Sequence, residues 1–258
     1  MPVPAVVADL ADGRPLQSVW QNGLGGVTFE VGRGPDRVFI KWAPATSGID
    51  FRPEMDRLAW AGVFSAVPRV LAHGADGLGS WLVTAGLPGE SAVADRWLAE
   101  PARAVWAIGR GLRALHDVLP VDECPFGWSV ESRLADVQRR LAAGELHPPS
   151  RWHPDHRGLS LQDALDLLAQ PPPIDTLVVC HGDACAPNTL MTDDGNWSGH
   201  VDLGALGVAD RWADLAVATW STVWNYGPGW EDPLLEAYGV ERDPWRIAYY
   251  RLLWDLGP

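Results

Sequence analysis

The fold of this chain is decided by one stretch, Leu177-Val178-Val179-Cys180-His181-Gly182-Asp183-Ala184-Cys185-Ala186-Pro187-Asn188. Its first four residues form a short apolar run with two β-branched valines, which predicts a buried strand. The strand ends in a polar loop, and loops held by rigid elements are where catalytic side chains commonly lie. We therefore expect Asp183 and Asn188 to belong to a catalytic loop.

The residues after this loop predict a β-hairpin. Residues 189–191 and 198–201 are short strand-like runs, and the segment 193–196, Asp-Asp-Gly-Asn, is a turn signal between them. A hairpin brings its two ends together, so Asn188 at the entrance should meet Asp202 at the exit. An amide oxygen and a carboxylate are hard-oxygen ligands suited to Mg²⁺, with substrate phosphates filling the remaining positions.

Together these residues form a pattern, His-x-Asp-x-x-x-x-Asn followed by Asp-Leu-Gly, that resembles the catalytic and metal-binding loops of kinases. The variant His181-Gly182-Asp183 with Asp202-Leu203-Gly204 resembles the aminoglycoside phosphotransferases, particularly the 3'-phosphotransferases of the kanamycin and neomycin type. Any one of these polar residues alone would be ordinary as a helix cap or turn residue. Their order and the second motif make the pattern specific.

The resemblance implies an α/β (α+β) protein with a bilobal, protein-kinase-like fold. Residues 1–86 would form a small nucleotide-binding N-lobe, an antiparallel sheet plus one helix. Residues 87–258 would form a larger, mostly helical C-lobe that carries the catalytic hairpin and binds the aminoglycoside. Asp183 would be the catalytic residue, Asn188 and Asp202 the Mg²⁺ ligands, and His181 and Asp214 structural support for the catalytic loop.

Composition and charge narrow the function. The 258 residues carry a formal charge of −13, which argues against nucleic acid and anionic membranes as partners and would suit a polycationic substrate. No apolar run is long enough to span a membrane, and the N-terminus lacks the pattern of a secretory signal. Three cysteines without a Cys-x-x-Cys pair support neither a disulfide framework nor a zinc site. We expect a cytoplasmic monomer.

Lys41 is the only lysine beside nineteen arginines, which suggests a position that requires a compact ammonium. It lies in an alternating strand, so Phe39 shares its face. Phe39 could then stack on a nucleotide base while Lys41 reaches the phosphates; the alternative is a surface lysine on an edge strand. Just upstream, the N–H groups of Gly25 and Gly26 could approach a triphosphate, although a plain hairpin turn would look similar.

Two further nucleotide contacts are implied by the resemblance. Glu54, in the first turn of the helix that Pro53 begins, would pair with Lys41 as kinases pair their strand lysine; an acidic residue near a helix N-terminus is also favourable by itself. The strand over residues 80–86 would lead into the crossover between the lobes. Backbone groups near Ala85 and Leu87 would bind adenine there.

The substrate side is implied by the resemblance alone. The loop over residues 146–157 would cover the sugar-binding side, with Asp155 as a candidate ammonium contact, and its histidines show no metal-ligand spacing. Asp255 and the terminal carboxylate would hold further amines. Two departures from the family pattern, Trp254 in place of an acid and Ala205 in place of an arginine, place the usual substrate range in doubt.

The resulting prediction is an enzyme that transfers the γ-phosphoryl group of ATP, or of GTP, to an aminoglycoside hydroxyl in the presence of Mg²⁺. The 3'-hydroxyl is the expected acceptor. The alternatives are a streptomycin-type 3''-phosphotransferase, a kinase for a macrolide or a metabolite alcohol, and a non-catalytic module that sequesters cationic drugs. The presence of Lys41, Asp183, Asn188 and Asp202 together argues against the last, because pseudokinases commonly lose at least one of them.

Overall fold

The computed structural model describes residues 3–257 and separates the chain into two units. Unit 1 contains the chain up to Gly89 together with Ser198–Gly204, and unit 2 contains Glu90–Trp197 and the chain from Ala205 onward. The sequence predicted one boundary, after residue 86, and did not predict that Ser198–Gly204 would belong to the first unit. That segment packs into unit 1, where a Cβ atom on Gly199 would lie 2.6 Å from the Ala66 carbonyl oxygen.

Unit 1 is built on a five-stranded antiparallel sheet of order β1-β2-β3-β5-β4. Its strands are β1 (Leu16–Gln21), β2 (Val27–Val31), β3 (Val38–Pro44), β4 (Val70–Ala75) and β5 (Gly79–Ala85). In β3, Lys41 lies opposite Thr28 and Leu82, and Phe39 lies opposite Glu30 and Thr84. These side chains share the face of the sheet predicted to meet the nucleotide.

The other face of the sheet forms the apolar core of unit 1. Phe29 and Ile40 are buried there against helix α1 (Ala5–Ala11), and burial of such side chains stabilises a fold by roughly 1.5–3 kcal/mol each. Helix α2 (Arg52–Ala61) begins with Pro53 in its first turn, as predicted. The resemblance implied one helix in this region, whereas the described part of unit 1 has two, α1 and α2. Helix α1 has only seven residues and no side-chain cap, so the sequence contains no local pattern that predicts it.

Unit 2 is mostly helical, as predicted. Its helices are α3 (Asp95–Leu98), α4 (Pro101–Val118), α5 (Val130–Ala143), α6 (Leu161–Leu168), α7 (Trp212–Tyr226), α8 (Glu231–Tyr238) and α9 (Pro244–Leu256). Two short antiparallel pairs accompany them: β6 (Glu90–Ser91) with β8 (Thr189–Met191), and β7 (Leu177–Cys180) with β10 (Gly207–Asp210). After β8 the predicted turn is closed by the Thr192 N–H, which donates to the Asn196 carbonyl, and β9 (Trp197–His200) follows.

Helices α4, α7 and α8 form the support beneath the catalytic loop. The helical spacing that predicts a core helix over residues 105–116 is confirmed, because Val105, Ile108, Leu112, Leu115 and His116 are all buried in α4. Helix α7 is buried continuously from Trp212 to Thr222. At Gly109 of α4 a Cβ atom would lie 2.6 Å from the Leu234 carbonyl of α8, so the absence of a side chain lets these helices approach. Within residues 3–257, no helix has both the length and the apolar character needed to cross a bilayer.

Candidate active site

The catalytic loop of unit 2 begins with a tight change of direction after β7. Gly182 has a φ of +84°, a left-handed conformation that most other residues disfavour. A Cβ atom at this position would lie 2.2 Å from the carbonyl oxygen of Ala205. Glycine is therefore required at the centre of the His-Gly-Asp motif, both for its conformation and for the close approach of residue 205.

Asp214, at the start of α7, holds this loop from below. Its carboxylate accepts hydrogen bonds from the backbone N–H groups of His181 (2.6 Å) and Gly182 (2.9 Å). It also accepts from His116 Nε2 (2.9 Å), and Nδ1 of His116 is hydrogen-bonded to the Tyr238 hydroxyl (2.8 Å). Because an ionised carboxylate only accepts, Nε2 of His116 carries the proton in this hydrogen bond.

The environment of Asp214 keeps its carboxylate charged although it is buried. Burial alone would raise the pKa of Asp214, but the hydrogen bond from His116 and those from the loop backbone outweigh burial and lower the pKa below its ordinary value. The buried charge is thus satisfied by three donors. The structure brings together Asp214 and His181, the residues that the sequence assigned to loop support.

Asp183 is oriented from two sides. Its N–H donates to His181 Nδ1 (3.2 Å), and the Asn188 amide group donates to both the Asp183 carbonyl (2.9 Å) and the carboxylate Oδ2 (3.1 Å). The second carboxylate oxygen, Oδ1, is buried and has no hydrogen-bond partner within residues 3–257. One oxygen therefore fixes the side chain, and the other can accept a hydrogen bond from a bound hydroxyl.

Ser221 of α7 is a second residue that supports the catalytic loop, and the sequence analysis missed it. The N–H of Ala186, in the short 3₁₀ turn Ala186–Asn188, donates to the Ser221 hydroxyl (2.8 Å), and Asn225 donates to the Ser221 carbonyl (2.8 Å). Ser221 lies seven residues after Asp214 on the same helix, and that spacing places both on one helical face. This spacing is the signal that could have found Ser221 once α7 had been assigned to loop support.

In unit 1, Lys41 is held between two carboxylates. Its ammonium donates to Glu54 Oε1 (2.6 Å) and to Asp202 Oδ1 (2.7 Å). Burial disfavours the charged lysine, but attraction to Glu54 and Asp202 and the two hydrogen bonds outweigh burial and raise the pKa of Lys41 above its ordinary value. The structure therefore brings together the predicted lysine, its helix partner and the predicted metal ligand.

Asp202 is held in an uncommon backbone conformation beside a cavity in unit 1. Its φ of +64° lies in the left-handed region, which Asp tolerates better than most residues. The cavity has a volume of about 240 Å³, and its lining includes Lys41, Glu54, Thr28 and Gly204. Strained conformations of this kind cluster at functional sites, which agrees with the predicted role of Asp202.

The glycine-rich turn is closed by hydrogen bonds to Asn22, and the phosphate contact of Gly25 and Gly26 stays a prediction. The Asn22 side-chain oxygen accepts from the N–H groups of Gly26 (2.7 Å) and Leu24 (3.0 Å), and the Gly25 N–H donates to the Asn22 carbonyl (3.3 Å). Asn competes well for nearby backbone N–H groups in this way. These N–H groups are thus bound within the turn.

Two of the backbone groups near Ala85 and Leu87, where adenine is predicted to bind, already form hydrogen bonds within unit 1. The Ala85 N–H donates to the Arg69 carbonyl (2.9 Å), and the Leu87 carbonyl accepts from the Arg37 guanidinium (2.8 Å). The Leu87 carbonyl has a second lone pair, so the contact of adenine with this segment stays a prediction. The contact between Arg37 and Leu87 was not predicted, because the two residues are fifty positions apart.

The two predicted substrate residues differ in environment. Asp255 is 13% exposed, and its carboxylate accepts from His156 Nδ1 (2.5 Å) and from the His153 N–H (3.1 Å). Asp255 therefore holds the loop that the sequence assigned to the sugar-binding side. Asp155, on that loop, has a side chain that is 61% exposed. The terminal carboxylate of Pro258 lies outside the described residues.

An aromatic layer lies beneath this loop. The His153 ring is 4.0 Å from the Trp220 ring, centroid to centroid, and Trp220 in turn is 5.3 Å from Trp224. Burial lowers the pKa of His153, and this effect exceeds the opposing attraction of Asp155 and Asp255. The loop is thus anchored both by the Asp255 carboxylate and by stacking on α7.

Comparisons with known proteins give the family of the chain. A sequence model of the phosphotransferase enzyme family, APH, matches residues 23–250, and the chain belongs to this family. The aminoglycoside 3'-phosphotransferase of Streptomyces fradiae is 38% identical over 253 aligned residues and is matched over 92% of both chains. These matches confirm the predicted family and establish that the chain is a phosphotransferase.

Solved structures agree with this assignment. The aminoglycoside-3'-phosphotransferase of type VIII has a TM-score of 0.80 at 29% identity, with 95% of this chain and 94% of that chain covered. The phosphotransferase APH(3'')-Id from Streptomyces rimosus, in complex with ADP and streptomycin, has a TM-score of 0.75 at 26% identity, with 98% and 99% covered. The predicted kinase-like fold is therefore confirmed.

Proposed function

We propose that this protein transfers the γ-phosphoryl group of ATP to the 3'-hydroxyl of an aminoglycoside antibiotic and so confers resistance. The observation that carries the proposal is the geometry of Asp183, whose carboxylate has one oxygen fixed by Asn188 and the other buried without a partner within residues 3–257. Similarity to the 3'-phosphotransferase of Streptomyces fradiae supports the acceptor position.

Asp183 supplies the positioning step. Its Oδ1 accepts a hydrogen bond from the acceptor hydroxyl, aligns that oxygen with the phosphorus, and takes the proton late in the transfer. The bond that forms joins the acceptor oxygen to phosphorus, and the bond that breaks releases ADP. Because Asp214 and Ser221 fix the backbone on both sides of Asp183, the carboxylate needs little reorganisation, and most of the rate gain comes from orientation.

Lys41 supplies the nucleotide contact. Its ammonium, held by Glu54 and Asp202, stays charged and binds phosphate oxygens as a point charge. With the N–H groups of Gly25 and Gly26 bound to Asn22, Lys41 carries the larger part of this contact. Phe39, on the same sheet face, remains the candidate platform for the base.

The side-chain types of Asp202, in unit 1, and of Asn188, in unit 2, are those that Mg²⁺ prefers. Asp202 offers a half-exposed carboxylate, and the Asn188 NH₂ group is used by Asp183, which leaves the amide oxygen as the group of Asn188 suited to a hard cation. The bound ion would neutralise charge on the transferred phosphoryl group. We keep the cytoplasmic location, the monomeric state and the absence of nucleic-acid and membrane partners as predictions.

The acidic character of the chain supports a cationic acceptor. With a formal charge of −13 and Asp155 exposed on a loop of unit 2, the protein can attract a substrate with several ammonium groups. Asp255 contributes by holding this loop, and a direct contact of Asp255 with an ammonium stays a prediction.

A streptomycin 3''-phosphotransferase is the second candidate. It is supported by the fold of the Streptomyces rimosus enzyme, which covers nearly the whole chain. Ala205, which stands where the family pattern has an arginine, places the usual substrate range in doubt. Purified protein should be assayed for ADP release with kanamycin, neomycin and streptomycin, each with ATP and with GTP, and the product analysed by ³¹P NMR.

The proposal predicts turnover of kanamycin and neomycin with phosphate at the 3'-oxygen. Turnover of streptomycin alone would favour the 3''-reaction. Asp183→Asn provides the background, because it keeps the shape of the loop and removes the proton acceptor. ADP release no higher than this background with every aminoglycoside would contradict the proposal.

A further inference from the structure

We infer that Arg37 is a positioning residue for the nucleotide, because it fixes the crossover segment, residues 86–89, to the strand that carries Phe39 and Lys41. The inference rests on the proposed use of a nucleotide. The Arg37 guanidinium donates from Nη2 to the carbonyl of Leu87 (2.8 Å) and to the carbonyl of Gly89 (2.5 Å). All of these residues belong to unit 1.

The backbone of Arg37 makes a third connection to the same segment. The Gly86 N–H donates to the Arg37 carbonyl (2.9 Å). Arg37 thus holds residues 86, 87 and 89 with both its main chain and its side chain. A planar guanidinium with several N–H donors can hold two carbonyl groups in a fixed direction, whereas a lysine ammonium has no such geometry.

Gly86 provides independent support. A Cβ atom at residue 86 would lie 2.6 Å from Arg37 Cγ and 3.0 Å from Arg37 Nε. The Arg37 side chain therefore passes directly over the position where any other residue would place its first side-chain atom. The crossover segment is shaped around Arg37, so an alternative side chain at residue 86 would have to displace the guanidinium.

Arg37 also contacts the predicted base platform. Its guanidinium carbon lies 5.7 Å from the centre of the Phe39 ring, within the range of a cation–π contact. Glu30, opposite Phe39 on β2, lies 3.7 Å from Arg37 Nε and adds a weak, partly exposed ion pair. The Arg37 guanidinium therefore contacts both groups that would flank a nucleobase. These are the Phe39 ring, on which the base would stack, and the crossover segment, to which the edge of the base would be hydrogen-bonded.

This arrangement has a consequence for base recognition. The Leu87 carbonyl accepts from Arg37 with one of its two lone pairs, so Arg37 fixes the direction in which this carbonyl can meet an amino group of the base. Loss of Arg37 would release this carbonyl and loosen the segment, which should weaken nucleotide binding and change the preference between ATP and GTP. Asp183 and the loop over residues 146–157 belong to unit 2, whereas the residues that Arg37 contacts belong to unit 1.

The test uses Arg37→Met, Arg37→Lys and, as the matched control, Glu30→Gln, which removes only the ion pair. Loss of two hydrogen bonds from a guanidinium that is 22% exposed should raise the KM for ATP by roughly 5- to 30-fold in both Arg37 variants. The KM for the antibiotic should stay within about twofold, and the ratio of kcat/KM for ATP and GTP should shift. Glu30→Gln should resemble the wild type.

A purely structural role for Arg37 would lower the active fraction and kcat while leaving both KM values and the ATP to GTP ratio unchanged, and this result would overturn the inference. If Arg37→Met does not fold, ADP affinity of Arg37→Lys and Gly86→Ala, measured by calorimetry, decides the question; normal affinity in both would also overturn it. An inactive wild-type protein that binds ADP would contradict the proposed function, but it would leave this inference open to the same calorimetric test.

Discussion

The support that Asp214 gives to the catalytic loop leads to a quantitative prediction for Asp214→Asn. The carboxylate accepts three hydrogen bonds in a fully buried position. Asparagine has one acceptor oxygen and presents its NH₂ group to a site that contains only donors. Bonds to a charged group are worth roughly 1.5–3 kcal/mol each, and breaking a buried charged network costs about 3–5 kcal/mol. We expect a loss of stability of about 3–5 kcal/mol.

This loss is large relative to the roughly 5–15 kcal/mol that stabilises a typical domain. The melting temperature should fall by roughly 6–20 °C, measured by circular dichroism. Asp183→Asn is the matched control, because it makes the same chemical change within the loop itself without removing the buried support beneath it. That variant should melt within about 3 °C of the wild type. The two substitutions therefore separate loop support from catalysis.

The pH dependence gives a second measurement on the same residue. The pKa of Asp214 is lowered in the folded protein, so its stabilisation is complete above the ordinary value of 3.8 and is lost as the pH falls below that value. Asp214→Asn should lack the loss of stability that protonation of Asp214 causes at low pH. Its free energy of unfolding near pH 7 should already be lower than that of the wild type. A melting temperature within about 2 °C of the wild type, with kcat preserved, would refute the reasoning.

Four other substitutions extend the test. Asp183→Asn should lower kcat by about 100-fold or more while the KM for ATP changes little, because Asp183 faces the acceptor; steady-state kinetics will check this. Lys41→Arg should not restore kcat/KM for ATP, because a guanidinium does not reproduce an ammonium held by two carboxylates, and near-normal activity would contradict the role of Lys41. Arg133→Met should raise the free energy of unfolding in urea by about 1–3 kcal/mol, because burial lowers the pKa of Arg133 to about 10 and two of its nitrogen atoms have no partner within residues 3–257. Asp255→Asn should raise the antibiotic KM roughly tenfold and leave the ATP KM unchanged, with faster hydrogen exchange over residues 152–157 as the independent measurement.

The parts of the fold and site that the sequence predicts are those with a local pattern. The His-Gly-Asp and Asp-Leu-Gly motifs, the single lysine in an alternating strand, and the helical spacing of α4 each lie within a short window. Periodicity and motif order can therefore be read without knowledge of the tertiary structure. The pairing of Lys41 with Glu54 came from the family resemblance, and the structure places the two groups 2.6 Å apart.

The parts that the sequence does not predict depend on partners distant in the chain or on competition for a hydrogen bond. Arg37 meets the crossover segment across fifty residues, and neither end of that contact has a motif. The turn at Gly25 and Gly26 has the composition of a phosphate-binding loop, yet the decisive residue is Asn22. Its side-chain oxygen accepts from the Gly26 N–H, and its main-chain carbonyl accepts from the Gly25 N–H. Composition predicts the turn at Gly25 and Gly26, but it does not predict which acceptor the N–H groups of that turn bind.

Asp255 and Asp155 show the same limit at the substrate side, with a consequence for specificity. From the sequence both are carboxylates near the antibiotic, whereas in the structure Asp255 is bound by His156 and the His153 backbone, and Asp155 is exposed. A carboxylate that already accepts two hydrogen bonds gains less from a new ammonium than an exposed one, because one partner must be given up or shared. Affinity for the antibiotic should therefore depend on Asp155 through direct contact and on Asp255 through the position of the loop. Changes in the number of amines on the drug should alter the effect of Asp155 more than that of Asp255.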